Sequence, residues 1–254
     1  MGLQFGSKAS GKPGSSPTQE GVRPRGSDIL SSRGREVLVT YTDPRSPVAE
    51  AYRQLRTNIQ FSSLDKPLRT LLATSTSQEE GKSTTLANLA VTIAQTGNSV
   101  ILVDCDLRRP SLHEIFGLGN ASGLTNVAID GALSQLPIQE SGIPNLQVLT
   151  SGPLPPNPAE ILGSQRMAEV IGQLRERAHY VLCDSPPVIA VTDAAVLATR
   201  MDGVLLVLQA GKTKRELAQK AKAILEKVNA NLVGVVLNNV KQDSSLHHYY
   251  AGRA

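Results

Sequence analysis

From residue 37 onward, short aliphatic runs alternate with longer segments in which apolar residues recur every three or four positions. The short runs predict strands and the longer segments predict helices. The predicted strands are residues 71–74, 100–104, 146–150, 180–184, 204–209 and 232–238. The predicted helices are residues 48–61, 82–96, 159–177, 193–199 and 214–228. This alternation indicates βαβ units, so we expect an α/β fold with a mostly parallel sheet and helices on both faces.

The chain divides into three parts by composition. Residues 1–36 are rich in Gly, Ser, Pro, Lys and Arg and show no apolar period, which predicts a disordered, mildly basic tail. Residues 37–241 carry the alternating pattern and are long enough to form one domain with its own core. Residues 242–254 follow the last predicted strand and form a predicted flexible tail that contains Tyr249 and Tyr250.

Composition narrows the class of protein. Apolar residues make up 40% of the chain and aromatic residues only 3%, so Ala, Val, Ile and Leu must build the core. The net charge of +4 is too small to indicate a nucleic-acid partner. Cys105 and Cys183 lie in or beside aliphatic runs, which predicts buried free thiols in a reducing compartment. Because no run reaches the roughly 18 apolar residues of a membrane span and no secretory signal is recognised, we expect a cytoplasmic protein.

The segment 71–85 has the sequence context of a phosphate-binding loop. An aliphatic run leads into a polar loop, and Gly81-Lys82-Ser83 then opens a predicted helix. In such a loop the backbone N–H groups and the helix dipole attract phosphate, and the glycine permits close approach. The lysine reaches the β and γ phosphates, and the serine hydroxyl is a ligand for Mg²⁺.

The loop departs from the common pattern at several positions. Thr76 occupies the position of the usual first glycine. Glu79 and Glu80 bring two negative charges to an anion site, at an electrostatic cost that is mild if both face water. The strand, loop and helix context nevertheless favours a phosphate site over an ordinary βα turn.

Two further predicted strands end in carboxylates. Residues 101–106 run through an aliphatic segment into Asp104 and Asp106, and residues 180–184 end at Asp184. Ligands of open parallel sheets bind beyond the carboxyl ends of the strands, so the three aspartates should gather beside Lys82 and Ser83. Carboxylates at this place could hold Mg²⁺ and orient a hydroxyl for phosphoryl transfer. Each aspartate taken alone could equally be a helix cap or a turn residue.

These three segments resemble the Walker A, A′ and B motifs of the bacterial tyrosine autokinases (BY-kinases) of capsule and exopolysaccharide synthesis. Residues 104–108 read D-C-D-L-R, similar to the family's D-x-D-x-R, and residues 184–187 read D-S-P-P, similar to its D-x-P-P. The resemblance extends over about residues 40–240 and includes the segments 47–56, 155–162 and 188–193. It implies an ATP-dependent protein-tyrosine kinase on a P-loop NTPase fold.

The resemblance also implies roles for individual residues. Lys82 resembles the phosphate-binding lysine, and Asp104 resembles the base that prepares the tyrosine hydroxyl. Ser83, Asp106 and Asp184 resemble the groups that hold Mg²⁺, directly or through water. The positions that would contact ATP are Ser77, Glu80, Gly81, Lys82, Ser83, Thr84 and, at the adenine, Asn238.

Two alternatives to the kinase remain open at this point. Septum-site and plasmid-partition ATPases share the expected fold, but carry a signature lysine where this chain has Ser77. The chain also has Gln78-Glu79 where the kinases usually have Pro-Gly, and its C-terminal tyrosine cluster is reduced to Tyr249 and Tyr250 as phosphoacceptors. An ATPase switch whose acceptor is water, and a non-catalytic nucleotide-binding scaffold, are therefore the competing hypotheses.

The predicted helix 48–61 carries a charged stripe. Glu50, Arg53 and Arg56 recur every three residues beside a narrow apolar face. The spacing alone is that of a solvated surface with an i,i+3 ion pair, but it resembles the family's ring-forming E-x-x-R-x-x-R motif. The resemblance thus implies a homo-oligomeric ring.

The same resemblance implies the other partners of the chain. Its substrates would be protein tyrosines. A separate membrane adaptor of the polysaccharide co-polymerase type would recruit the chain to the inner membrane face.

Overall fold

The computed structural model of the protein describes residues 32–63, 67–130 and 136–241. Most of the predicted N-terminal tail and the predicted C-terminal tail with Tyr249 and Tyr250 lie outside the described residues. Residues 32–37 form a helix, so the prediction of disorder through residue 36 is wrong at its end. Leu38, which follows this helix, is fully buried, and tertiary packing of this kind overrides the weak local pattern.

A single sheet forms the centre of the described fold. Its strands are β1 (Thr70–Ser75), β2 (Val100–Asp104), β3 (Gln139–Glu140), β4 (Leu146–Leu149), β5 (Tyr180–Asp184), β6 (Gly203–Gln209) and β7 (Leu232–Asn238). They lie in the order β3-β4-β2-β5-β1-β6-β7, and all neighbours are parallel except β3 and β4. All six predicted strands are present. The two-residue β3 was missed because it is too short to show a period.

Helices cover both faces of this sheet. They are α1 (Ser32–Val37), α2 (Val39–Thr42), α3 (Pro47–Phe61), α4 (Lys82–Ala94), α5 (Leu112–Phe116), α6 (Leu124–Asp130), α7 (Pro158–Gly163), α8 (Gln165–Arg177), α9 (Asp193–Ala198) and α10 (Arg215–Lys227). The predicted helix 159–177 is in fact two helices. Ser164 between them is extended, with ψ at 157°, and its Oγ accepts the Met167 N–H at 3.2 Å to cap α8.

The core consists of two layers of aliphatic side chains, one on each face of the sheet. Val103 lies on the face covered by α6 to α10, and Leu102 on the face covered by α1 to α5. Strands buried on both sides read as continuous aliphatic runs, which is why the sequence predicted them well. Cys105 and Cys183 are both buried and free, as expected. Within the described ranges, no helix has the length and apolar character needed to cross a membrane.

Candidate active site

The phosphate loop connects β1 to α4 in the predicted geometry. Gly81 has φ at +86°, and α4 begins at the next residue, Lys82. A side chain at position 81 would be strained in this conformation, and its Cβ would lie 2.0 Å from Asn238 Nδ2. The glycine is therefore required both by the backbone turn and by the approach of Asn238 from the end of β7.

Glu80 does not face water, so the condition under which its charge would carry only a mild electrostatic cost is not met. Its side chain is buried, and its carboxylate accepts the N–H groups of Thr76 at 2.7 Å and Ser77 at 3.0 Å. The hydroxyls of Thr76 and Thr213 also donate to it. These bonds compensate for removing the charge from water. The Glu80 side chain thus shapes the loop from within, and only its backbone remains a candidate nucleotide contact.

Glu79 lies at the exposed tip of the same loop. Its φ is +62°, in the left-handed region that residues other than glycine rarely adopt. This is one of the two positions where the related kinases usually carry Pro-Gly. The loop therefore keeps a glycine-type backbone conformation without the glycine, at a cost of roughly 1–2 kcal/mol.

Lys82 lies between two of the predicted metal-binding carboxylates. Its Nζ is 3.2 Å from Asp106 Oδ2 and 3.2 Å from Asp184 Oδ2. The Ser83 hydroxyl also donates to Asp184 Oδ2. Burial lowers the pKa of Lys82, but the charges of Asp184 and Asp106 outweigh it, so the pKa lies above its ordinary value. The ammonium therefore stays charged and neutralises part of the acidic cluster.

Strand pairing brings Asp104 to the same site. Asp104 and Asp184 are register partners at the carboxyl ends of β2 and β5, and both side chains are fully buried. Asp104 Oδ2 accepts the N–H groups of Ser111 and Leu112, each at 2.9 Å. The three aspartates, Lys82 and Ser83 thus meet at one edge of the sheet, where the sequence placed them.

The environment of Asp104 suits a proton acceptor. Burial raises the pKa of Asp104 to about 7, and repulsion from Asp184 acts in the same direction, while the backbone amides of Leu112 and Ser111 and the charge of Lys82 act against them. Burial likewise raises the pKa of Asp184. A carboxylate whose pKa lies near neutrality can accept a proton and later release it.

The side chains at this site that could bind a metal ion offer oxygen atoms as ligands. Asp184 Oδ1 is buried and has no hydrogen-bond partner in the described structure, and Asp106 and Ser83 lie beside it. Among the described residues, no group of three or more His, Cys, Asp or Glu side chains is arranged to hold a metal by itself. Two carboxylates and one hydroxyl fit Mg²⁺, which usually takes one or two carboxylates and completes its shell with water and phosphate oxygens.

The other predicted nucleotide contacts surround the loop. Ser77 is exposed on it, and Thr84 is half-buried in the first turn of α4. Asn238 Nδ2 donates to the Glu80 carbonyl at 3.1 Å, so the end of β7 does lie against the loop. The sequence missed Thr213, which follows β6 and bonds Glu80, because a single threonine in a turn carries no signal.

The charged stripe of α3 forms contacts within its own chain. Arg53 Nε donates to Glu50 at 2.7 Å and another of its nitrogens to the Pro44 carbonyl at 2.9 Å. Arg56 donates to the Thr92 carbonyl of α4 at 3.0 Å. A shallow surface groove runs along the stripe and is lined by Glu50, Arg53, Gln54, Arg56, Thr57 and Asn58.

Comparison with known proteins identifies first the class and then the family. Residues 69–247 match the family model described as ParA, NUBPL iron-transfer P-loop NTPase, so the chain is a P-loop NTPase and has a nucleotide site. It is 42% identical over 221 residues to the tyrosine-protein kinase YwqD of Bacillus subtilis, covering 87% of this chain and 93% of that one. The chain therefore belongs to the bacterial tyrosine-protein kinases, as the three motifs predicted.

Solved structures agree with this assignment. The chimerical protein CapA2B2 superposes with a TM-score of 0.78 at 37% identity, covering 82% of this chain and 91% of that one. The kinase domain of the Escherichia coli tyrosine kinase ETK superposes with a TM-score of 0.78 at 31% identity, covering 82% of each chain. The predicted fold and enzyme class are thereby confirmed.

Proposed function

We propose that this chain transfers the γ-phosphoryl group of Mg-ATP to tyrosines of proteins, including the tyrosines of copies of this same chain. This activity would regulate the synthesis and export of exopolysaccharide or capsule. The observation that carries the proposal is the cluster of Lys82 with three aspartates beside a phosphate loop. Family membership supports the acceptor, because the related proteins named above are tyrosine kinases.

The residues divide the chemistry between them. Lys82 and the backbone amides of the loop bind the phosphates. Ser77, Glu80 and Gly81 in the loop and Thr84 in the first turn of α4 contribute to this phosphate contact. Asn238 lies toward the adenine base. Asp106, Asp184 and Ser83 would hold Mg²⁺, which neutralises charge that develops on the transferred group. Asp104 accepts the proton of the tyrosine hydroxyl. The tyrosine oxygen bonds to the γ phosphorus, and the bond between that phosphorus and the leaving ADP oxygen breaks.

The burial of Asp104 favours a kinase over a nucleotide-bound scaffold. Keeping a carboxylate out of water lowers stability, and buried groups with perturbed pKa values concentrate at functional sites, where their function outweighs this cost. A scaffold would need neither the buried Asp104 nor its approach to Asp184.

We further propose a cytoplasmic location at the inner membrane face, with a separate membrane adaptor of the polysaccharide co-polymerase type as partner. The resemblance of the three motifs to the stand-alone members of the family supports this partner, because those members work with a separate membrane adaptor. Tyr249 and Tyr250, in the C-terminal segment, are the proposed acceptors.

The acceptor assignment is tested by changing both tyrosines. With labelled ATP and Mg²⁺, the parent should form phosphotyrosine, and Tyr249→Phe/Tyr250→Phe should lose at least about nine-tenths of it while calorimetry shows unchanged ATP affinity. Tyr52→Phe, a change on α3, is the matched control. Full phosphotyrosine in the double variant would place the acceptor elsewhere, and steady phosphate release without phosphotyrosine in the parent would replace the kinase by an ATPase switch.

The stripe on α3 is the proposed ring contact. Glu50→Ala/Arg53→Ala/Arg56→Ala should leave a monomer, measured by light scattering, under conditions in which the parent forms larger assemblies. A loss of about 1 kcal/mol in stability is also expected, because Arg56 no longer binds the Thr92 carbonyl. The matched control removes another i,i+3 pair, Arg166 and Glu169 on α8, and should leave the mass unchanged. Equal masses for the parent and the triple variant would contradict the assignment.

A further inference from the structure

An ion pair joins the turn after β2 to the first residue of α9. Arg108 Nε donates to Asp193 Oδ2 at 2.8 Å, and a second guanidinium nitrogen donates to Asp193 Oδ1 at 3.1 Å. The Asp193 side chain is fully buried, whereas that of Arg108 is 41% exposed. A two-bond fork of this kind fixes both the distance and the orientation of its partners.

The turn that Arg108 belongs to wraps around one of the site carboxylates. Asp106 Oδ1 accepts the backbone N–H groups of Arg108 at 3.3 Å and Arg109 at 3.0 Å. A few residues further along, the N–H groups of Ser111 and Leu112 hold Asp104. The conformation of residues 106–112 therefore sets where both carboxylates point.

The sheet alone does not fix Asp106. Asp104 and Asp184 are register partners at the ends of β2 and β5, but Asp106 lies two residues beyond the last residue of β2. A further side-chain contact from this turn, Arg109 to the Gln78 side chain at 2.7 Å, is exposed and reaches only the tip of the phosphate loop. The fork to Asp193 instead reaches a buried group on the segment that follows Asp184.

We propose that Asp193 is a positioning residue of the kinase site, acting through Arg108 to hold the turn that presents Asp106 and Asp104 opposite Asp184. This inference rests on the proposed function, because it assigns Asp106 and Asp184 to Mg²⁺. Arg108 itself uses two of its three guanidinium nitrogens on Asp193, which suits a structural tie between the two carboxylate segments rather than a phosphate contact.

The test compares two carboxylates that pair with arginine at opposite edges of the sheet, the fully buried Asp193 and the partly buried Asp202. Asp193→Asn keeps the shape of the side chain but loses the charge of the fork. Asp202→Asn makes the same change at the amino edge, where Asp202 pairs with Arg175 at 3.4 Å. Calorimetry of ADP binding over a range of Mg²⁺ concentrations, kcat and KM for ATP, and Tm are measured for both variants and the parent.

In Asp193→Asn, the Mg²⁺ concentration that half-saturates ADP binding should rise about 10-fold or more, and kcat should fall by a similar factor, as when a group that orients a metal ligand is lost. Asp202→Asn should lower Tm without either change.

Arg108→Lys keeps the charge but not the fork, and should reproduce the Mg²⁺ effect if Asp193→Asn does not fold. The Mg²⁺ readout does not depend on the acceptor, so it separates this inference from the kinase proposal. Unchanged Mg²⁺ dependence in folded Asp193→Asn or Arg108→Lys would overturn the inference.

Discussion

Asp104→Asn should retain nucleotide binding and lose phosphoryl transfer by roughly 10²–10⁴-fold, the usual contribution of a positioned base. The amide keeps an oxygen that can accept the N–H groups of Ser111 and Leu112, which hold Asp104 at 2.9 Å in the parent. It cannot accept the proton of a tyrosine hydroxyl. Phosphotyrosine formation per unit time, measured at saturating Mg-ATP, is the readout.

Two comparisons keep this result from being explained by a damaged fold or a lost metal. Asp106→Asn and Asp184→Asn should weaken Mg²⁺ binding, so added Mg²⁺ should partly restore their activity but not that of Asp104→Asn. Nucleotide-free Asp104→Asn should also be more stable than the parent at pH 8. Burial raises the Asp104 pKa to about 7 from an ordinary 3.8, so the native state resists its ionisation and the parent loses stability as pH rises through this range. At pH 4, close to the ordinary pKa, this advantage should largely vanish. Transfer at the parent rate in Asp104→Asn would eliminate the base assignment.

The sequence predicted the parts of the site that depend on local pattern. β2 and β5 are aliphatic runs because helices cover both of their faces, and a carboxylate that ends such a run must lie at the carboxyl edge of the sheet. Gly81 followed by Lys82 at the start of a helical period likewise predicted the phosphate loop. These features follow from chain connectivity and backbone sterics, which a single sequence carries.

The sequence could not predict contacts between distant segments. Glu80 has the composition of a water-facing loop residue, and only its bonds to Thr76, Ser77 and the distant Thr213 make its burial favourable. The pairing of Arg108 with Asp193 likewise joins residues 85 positions apart. The break within 159–177 was missed for a local reason. A serine such as Ser164 is tolerated within a helix, and only the bond by which it caps α8 shows that the preceding helix has ended.

Lys82→Met should abolish Mg-ATP binding and, in the nucleotide-free protein, also lower the free energy of unfolding. Methionine carries no charge, so the variant loses the ammonium that reaches the β and γ phosphates. It also leaves Asp184, fully buried, and Asp106, nearly so, without the ammonium that lies 3.2 Å from each in the parent. Removing one partner of a buried ion pair typically costs about 3–5 kcal/mol. Denaturant unfolding and calorimetry measure the two effects separately.

A second substitution distinguishes lost binding from lost folding. Lys82→Met/Asp184→Asn removes one of the two uncompensated carboxylate charges, so it should regain part of the stability that Lys82→Met loses. It should regain none of the ATP binding, because the phosphate contact is still missing. Recovery of both would mean that Lys82→Met had failed only by unfolding, and ATP affinity equal to the parent in either folded variant would show that Lys82 does not bind the phosphates. Because Lys82 neutralises the acidic cluster before nucleotide arrives, its role in stability and its role in binding are consequences of the same charge at the same place.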